Sequence, residues 1–319
     1  MSNLVMAYSG NFTQPHCTEV HIARTFEQLG WDVVRLQENS TSLEMIERAC
    51  SLVDLYLYTR TWGLPDYPAA IEMIRNMESR GVTTASYHLD LYLGLAREAT
   101  LEGDPFWSTQ FVFTPDGAPD SQAEFERREI NHHYIRPGVV KDECVIGDRR
   151  ADLAHDVIFV GSYPYPHAEW PYRNQLVDWL AATYGRRFAR YGHGTTVVRN
   201  KGLNDLYRSS KVVVGDSVCL GFTHPYYWSD RAFETLGRGG FLIHPFIEGI
   251  DDELVDGEHL RYYTFGDFDG LKQLIDYYTD PANEAERATI ARQGQDFVRE
   301  NCTYHNRLTQ ALGIMDLAS

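Results

Sequence analysis

The sequence predicts an α/β protein with two doubly wound, Rossmann-like domains. Strand-like apolar segments alternate with segments of helical periodicity along both halves of the chain, and this repeated order implies parallel strands covered by helices. Between residues 139 and 152 the periodicity is lost and charged residues accumulate. The length of 319 residues, with 43% hydrophobic content, also exceeds what one ordinary core requires.

The first half contains predicted strands separated by helices. Val20, Ala23 and Phe26 recur at helical spacing, and Gly30 ends that helix. The segment 41–44 has the capping-box pattern at the start of the next helix. A third helix has apolar residues between 70 and 77 and ends at a glycine. The strands are predicted at 3–8, 31–36, 54–59, 82–89 and 110–114.

The same order restarts after the charged segment. Residues 283–286 again have a capping-box pattern and begin a helical stretch that continues almost to the end of the chain. These patterns predict a first domain at 1–145, a second at 155–290 and a C-terminal helix at 291–319. In the second half, strands are predicted at 156–161, 187–191, 211–215, 240–245 and 262–265, and helices at 172–184, 203–208, 230–238 and 271–278.

Composition and charge exclude several kinds of protein. The net charge of -16 disfavours a protein that binds nucleic-acid backbones, because such proteins usually have a basic domain or stripe. The cysteines form no CxxC pair, so neither a disulfide framework nor a zinc ribbon is expected. With no signal-peptide pattern and no apolar run of spanning length, a cytoplasmic protein without a membrane span is expected. The cysteines are Cys17, Cys50, Cys144, Cys219 and Cys302.

The motifs of several other protein classes are missing from the sequence. There is no GxGxxG after the first strand, no Walker loop and no GxSxG elbow, which disfavours dehydrogenases, NTPases and α/β hydrolases. His132 with His133, and His16 with Cys17 and His21, match no recognised closed metal site. We therefore expect no bound metal.

The most informative segment is 229–240. On a helix, Arg231, Glu234 and Arg238 share one side through their i, i+3 and i+4 spacing, so this polar side could face a ligand. The N–H groups at the helix start and the guanidinium of Arg231 suit a diphosphate, and Glu234 suits the two hydroxyls of a ribose. Those are the requirements of a nucleotide-sugar site. The alternative is an amphipathic helix whose charged residues pair at the surface.

This segment, together with the downstream sequence GIDDELVDGEHLRYYTFGDFDGLKQLIDYYTDP, resembles the spore-maturation (CgeB-like) glycosyltransferases. More distantly it resembles the retaining glycosyltransferases of the GT-B fold, over roughly residues 156–305. The resemblance implies two domains facing each other across a cleft and a C-terminal helix that crosses back to the first domain. It also implies that Glu234 binds the donor ribose and Arg231 the pyrophosphate.

One position departs from the family pattern. The retaining enzymes have another glutamate eight positions before the ribose-binding one, where this chain has Tyr226. Whether the reaction retains or inverts configuration therefore stays open. The loop 222–228 is still expected to line the donor sugar through its backbone groups.

Further candidate donor contacts lie at the strand ends of the second half. Gly161-Ser162 follows its first strand and Arg173 begins the next helix, where the resembled family also has a glycine turn and a basic residue. Tyr191-Gly192 could pack near the base, and Lys201 could neutralise phosphate. The alternatives are tight turns and solvated surface residues. The expected donor-binding residues are Glu234, Arg231, Ser229, Asp230, Gly161, Ser162, Arg173, Tyr191, Gly192 and Lys201.

In the first half, candidate catalytic residues follow the strands, because open α/β sheets bind ligands at the carboxyl ends of strands. His16 comes after the first strand, and His88 and Asp90 close the fourth. We interpret Asp90 or His88 as the group that positions an acceptor hydroxyl or takes its proton. An ordinary structural role is the alternative for each of the three.

These residues together predict a metal-independent glycosyltransferase that moves a sugar from a nucleotide-diphosphate sugar to a hydroxyl acceptor. UDP is the expected nucleotide, and no cofactor is expected because protein cations would stabilise the leaving group. The acceptor stays open among a saccharide, a protein, a small molecule and a hydroxylated base in modified viral DNA, the last being the one nucleic-acid partner considered. The alternatives are a nucleotide-sugar-binding protein without turnover and a nucleotide-sugar epimerase.

Overall fold

The structure is a computed structural model that describes residues 4–165, 170–216 and 224–318. It divides the chain into two units. Unit 1 consists of Met1–Arg136 together with Tyr304–Ser319, and unit 2 consists of Pro137–Thr303.

Unit 1 is built on a six-stranded parallel sheet with the strand order β2-β1-β3-β4-β5-β6. Its strands are β1 (Val5–Gly10), β2 (Asp32–Gln37), β3 (Leu55–Tyr58), β4 (Thr83–Tyr87), β5 (Phe111–Thr114) and β6 (His132–Tyr134). The helices that connect them are α1 (Thr18–Gln28), α2 (Leu43–Ala49), α3 (Tyr67–Ser79) and α4 (Pro119–Arg127).

Unit 2 is built on a five-stranded parallel sheet with the order β11-β10-β9-β7-β8. Its strands are β7 (Val157–Val160), β8 (Phe188–Tyr191), β9 (Val212–Val214), β10 (Leu242–Pro245) and β11 (Arg261–Tyr263). Its helices are α5 (Pro171–Tyr184), α6 (Lys201–Ser209), α7 (Arg231–Gly237), α8 (Phe268–Thr279) and α9 (Glu284–Asn301).

The prediction of two doubly wound parallel sheets is confirmed. Strand β6 was not predicted from the sequence, because a three-residue strand containing two histidines has no apolar alternation. Both sheets have short, almost continuously buried strands such as β3 and β7, which is typical of parallel sheets covered on both faces.

The helical stretch near the C-terminus is two helices rather than one. Helix α9 ends at Asn301 within unit 2, and α10 (Tyr304–Ile314) follows after Cys302 and Thr303. Helix α10 belongs to unit 1, where it packs against α1. Unit 2 begins at Pro137, before residue 145, because the N–H of Val139 donates to the carbonyl of Cys302 at 3.0 Å.

The strand order of each sheet reverses direction at one point, and such points form crevices where open α/β sheets bind ligands. In unit 1 the reversal lies between β1 and β3, and in unit 2 it lies between β7 and β9. Functional residues are therefore expected at the carboxyl ends of these four strands.

Candidate active site

The carboxyl ends of β7 and β8 approach each other closely at two glycines. The N–H of Gly161 donates to the carbonyl of Tyr191 at 2.8 Å, and Ser162 follows as a half-buried residue. Gly192 has a φ of 125°, and a Cβ there would lie 2.8 Å from the carbonyl carbon of Gly161. Glycine is therefore required at 192 for both its conformation and its lack of a side chain.

Arg173 and Asp216 meet at the reversal point of the unit 2 sheet. The Nε of Arg173 donates to Oδ2 of Asp216 at 2.6 Å, and Nη2 donates to Oδ1 at 3.3 Å. The Arg173 side chain is 11% exposed and that of Asp216 3%. The guanidinium also lies 4.4 Å from the ring centroid of Tyr165. Arg173, predicted as a donor contact, is thus a buried cation already paired with a carboxylate.

His244 lies beside this pair at the end of β10. Its Nδ1 is 2.8 Å from the carbonyl of Pro245, and a Cβ on Gly215 would lie 2.7 Å from its ring. Burial lowers the pKa of His244, which the charge of Asp216 opposes. This buried imidazole is neutral near pH 7.

The predicted nucleotide segment forms α7 and begins with an ion pair. The guanidinium of Arg231 lies 2.7 Å from Oε2 of Glu234, and their side chains are 35% and 26% exposed. Glu234 raises the pKa of Arg231. Ser229 accepts the Arg231 N–H at 3.2 Å and donates to Asp230 at 3.1 Å. One of the helix-start N–H groups expected to bind a diphosphate is therefore bonded within the protein.

Arg238 is buried, in contrast to the expectation that it shares an accessible polar side with Arg231 and Glu234. Its side chain is 2% exposed and donates to the carboxylate of Glu143 and the amide oxygen of Asn204. A buried cation needs such partners, so Arg238 links α7 to α6. It also lines a cavity of about 380 Å³ beside Glu143 and Asn204.

Two further predicted donor contacts have partners within unit 2. Lys201 lies 2.6 Å from Asp148 and 2.9 Å from Asp205, so two carboxylates neutralise its ammonium. The hydroxyl of Tyr191 is 2.8 Å from Nε2 of His155. In the loop predicted to line the sugar, Tyr226 donates its N–H to the carbonyl of Glu248 at 2.8 Å, whereas residues 222–223 lie outside the described residues.

In unit 1 the structure brings His88 and Asp90 together. The N–H of Asp90 donates to Nδ1 of His88 at 3.0 Å, and Nε2 of His88 is 2.9 Å from the carbonyl of Arg60. This network assigns the proton to Nε2, and burial lowers the pKa of His88. Asp90 is half exposed and receives a 2.9 Å hydrogen bond from Arg97. Because both nitrogens of His88 are engaged, Asp90 has the more accessible proton acceptor.

His16, the third predicted catalytic residue, is exposed in the segment between β1 and α1. Two buried carboxyls in the same unit, Glu19 and Glu38, were not predicted as functional residues from the sequence. Glu38 accepts the N–H groups of Thr61, Trp62 and Gly63 at 2.9, 2.9 and 3.2 Å. The loop after β3 is thereby fixed, with Trp62 51% exposed on it.

One protein family has a model that matches part of this chain. Residues 173–313 match the model of a family described as glycosyl transferase-like. No curated protein matches the sequence.

Several solved structures share the fold. Anabaena HepE, solved with UDP and glucose, has a TM-score of 0.67 at 11% identity over 98% of this chain and 99% of its own. Sucrose-phosphate synthase of Thermosynechococcus elongatus has a TM-score of 0.63 at 12% identity, over 99% and 100%. An alpha-glucosyltransferase, solved with UDP and a 13-mer DNA containing an HMU base, has a TM-score of 0.73 at 8% identity, over 98% and 99%.

The chain carries a glycosyltransferase-like domain. The prediction of the GT-B fold is confirmed, and the family match agrees with a glycosyltransferase-like domain in the second half of the chain. Membership of the CgeB-like subfamily stays a prediction. The identities are low enough that the structural likeness shows the fold alone. The matched region begins at Arg173 and includes Asp216, Glu234 and Arg238.

Expectations from the sequence also concern metal sites, cysteines and membrane-spanning helices, and the described residues bear on each of them. Among residues 4–165, 170–216 and 224–318, no group of three His, Cys, Asp or Glu side chains is arranged to hold a metal ion. Cys17, Cys50, Cys144 and Cys302 are free thiols, and Cys219 lies outside the described residues. Within the described part of the chain, no helix has the length and apolar character needed to cross a membrane.

Asp216 is a buried residue of the candidate site that was not predicted from the sequence. A signal was present, since Asp216 ends the run Val212-Val213-Val214-Gly215-Asp216, a buried strand that finishes in a glycine and a carboxylate. Carboxylates at such strand ends are candidate ligand contacts. The pairing with Arg173 is a tertiary contact that sequence spacing does not reveal.

Proposed function

We propose that this glycosyltransferase transfers a sugar from a nucleotide-diphosphate sugar, with UDP as the nucleotide, to a hydroxyl acceptor, without a metal. The observation that carries the proposal is the partly exposed Arg231–Glu234 ion pair at the start of α7. Proteins of the same fold solved with UDP support the choice of nucleotide.

Arg231 and Glu234 have complementary roles in donor binding. The guanidinium of Arg231 still has donors beyond those that bond Glu234, and these bind the diphosphate. The oxygens of Glu234 accept hydrogen bonds from the ribose hydroxyls. The ion pair holds both side chains in position before the donor arrives, which lowers the entropy lost on binding.

In the transfer step, the bond between the anomeric carbon and the diphosphate oxygen breaks, and a bond from that carbon to the acceptor oxygen forms. The electron pair of the broken bond stays on the diphosphate, where Arg231 and Arg173 stabilise the added negative charge. The proton of the acceptor hydroxyl passes to a base. With protein cations in this role, we expect activity to persist in a metal chelator.

The acceptor proton has two routes. If the configuration inverts, Asp90 is the proposed base, because both ring nitrogens of His88 are hydrogen bonded. If it is retained, the leaving phosphate takes the proton, since Tyr226 stands where the retaining enzymes have a glutamate. An Asp90→Asn variant separates the routes, because only the inverting one loses catalysis with this carboxylate.

The acceptor side of the proposal rests on unit 1. Trp62 is exposed on a loop that Glu38 fixes, and an indole so held can stack on a sugar or a base. One protein of this fold was solved with DNA containing an HMU base, so a hydroxylated base belongs in the acceptor panel. The net charge of -16 favours saccharide and small-molecule acceptors over it.

The test is an assay of nucleotide release from UDP-, GDP-, TDP- and CDP-sugars with a panel of acceptors, in chelator. We expect release that depends on one acceptor and falls at least about tenfold in Glu234→Gln, with Glu258→Gln as the exposed-carboxylate control. Donor binding without release or transfer would favour the binding protein without turnover. Sugar interconversion without acceptor would favour the epimerase.

A further inference from the structure

A second cavity of unit 2 has an excess of positive charge. It has a volume of about 340 Å³ and lies at the amino end of β9, because Lys211 directly precedes that strand. The proposed donor residues of unit 2 lie toward the opposite, carboxyl ends of its strands. The charged residues that line this cavity are Arg149, Arg150, Arg208, Lys211, Arg287 and Glu284.

Ion pairing within unit 2 neutralises only part of this charge. Arg150 pairs with Asp152 at 2.6 Å, Lys211 with Asp156 at 2.7 Å, and Arg149 with Glu284 at 3.4 Å. Asp156 is shared with a further arginine at 2.6 Å. Five cations thus face three carboxylates, one of them shared, in a protein with a net charge of -16.

The two remaining cations form no ion pair among the described residues. Arg208 is exposed in the last turn of α6. Arg287 is half-buried in the first turns of α9, where its guanidinium donates to the carbonyl of Tyr278. Burial lowers the pKa of Arg287; the charges of Glu284 and Asp156 oppose this effect, and the positive charge of Arg149 adds to it. A half-buried arginine without a full counter-charge is stabilised by a bound anion.

A neighbouring cavity gives the opposite case. It is larger, at about 480 Å³, and its three cations are matched by three carboxylates. Ion pairs join Arg187 and Lys211 to Asp156, and Lys272 to Asp276. Surplus positive charge is therefore a property of the cavity of about 340 Å³ and does not follow from its position at this edge of the sheet.

We propose that the cavity lined by Arg149, Arg208 and Arg287 binds a small phosphate-bearing anion, such as pyrophosphate, at a site separate from the proposed donor site. A concave site with two surplus charges suits a compact anion. An extended polyanion needs a basic stripe, which the carboxylates around this cavity interrupt. The proposal does not depend on the proposed function.

The test is calorimetric titration of the full chain with pyrophosphate at constant ionic strength. We compare Arg208→Gln and Arg149→Gln with Arg292→Gln, which removes an exposed arginine of α9 outside the cavity. The first two variants are expected to weaken binding about tenfold and the third to leave it unchanged. Equal weakening in all three would indicate general ionic attraction and overturn the proposal.

Pyrophosphate could also bind at the donor site, so the comparison is repeated in an Arg231→Gln background. We expect the dependence on Arg208 to persist there. Binding that disappears with Arg231→Gln and ignores Arg208 would overturn the proposal. An oligonucleotide is the last arm, and binding of it that depends on Arg208 and exceeds that of pyrophosphate would overturn the assignment to a small anion.

Discussion

Arg173 and Asp216 form a two-point ion pair that joins the start of α5 to the end of β9. The contact spans the reversal point of the unit 2 sheet and fixes the direction of the guanidinium. Under the proposed function, the donors of Arg173 that Asp216 does not use would bind the diphosphate.

Asp216→Ala is expected to lower the free energy of unfolding by about 3–5 kcal/mol, because it leaves a buried guanidinium without its counter-charge. Urea unfolding of the full chain measures this loss. Asp152→Ala, which breaks the exposed pair with Arg150, is the matched control and should leave stability unchanged. An equal loss of stability in the two variants would contradict the description of Arg173 and Asp216 as a buried pair that stabilises the fold.

Gly192→Ala is expected to cost at least about 2 kcal/mol, because the new methyl group meets the backbone of Gly161 and the residue has a positive φ. Gly257→Ala isolates the conformational part, since Gly257 has a φ of 76° and nothing within 4 Å of an added Cβ. The comparison is made by urea unfolding. A loss at Gly192 no larger than at Gly257 would mean that the two strand ends do not approach as described.

Glu38→Ala should release the loop that bears Trp62. The three N–H groups of Thr61, Trp62 and Gly63 lose their shared acceptor, which costs about 1–3 kcal/mol. Hydrogen exchange at these amides should become faster, whereas Glu126→Ala on the exposed face of α4 should not change it. Unaltered exchange in Glu38→Ala would remove the support for a fixed loop.

A pH dependence is expected from Glu19, whose pKa burial raises above its ordinary value of 4.5. The folded state then holds this proton more tightly than the unfolded chain does. The stability that Glu19 contributes is complete below pH 4.5, and it is lost as the pH rises through the pKa that Glu19 has in the folded state. Glu19→Gln should therefore gain stability relative to the natural protein between pH 4 and pH 7.

Urea unfolding at the two pH values checks the expectation for Glu19. Glu44→Gln, at an exposed position of α2, serves as the control for removing one carboxylate from unit 1. A stability difference between Glu19→Gln and the natural protein that stays constant, or shrinks as the pH rises, would show that the carboxyl is not buried as described.

Much of the fold could be predicted from the sequence because its signals are local. Apolar strands, capping boxes and helix-ending glycines predicted the order of most strands and helices along both halves of the chain. Strand β6 was missed because its pairing with β5 is non-local and its residues are polar. The break at Cys302 and Thr303 was missed because neither residue is a strong helix breaker.

The candidate site was less predictable because partners distant in sequence decide it. Helical spacing indicated the Arg231–Glu234 contact correctly, since an i, i+3 pair is local. The same spacing predicted that Arg238 is accessible. That prediction was wrong, because Arg238 is buried against Glu143 and Asn204, which come from distant segments of the chain. Lys201 likewise pairs with Asp148, and Tyr191 with His155, and both partners lie far away in sequence.

The central claim, that Glu234 holds the nucleotide of a donor, is tested most directly by calorimetric titration with UDP, GDP, TDP and CDP. We compare the natural protein with Glu234→Gln and with Glu258→Gln, an exposed control. We expect UDP to bind the natural protein and Glu258→Gln equally, and Glu234→Gln at least about tenfold more weakly. Equal UDP affinity in Glu234→Gln, or no binding of any nucleotide to the natural protein, would contradict it.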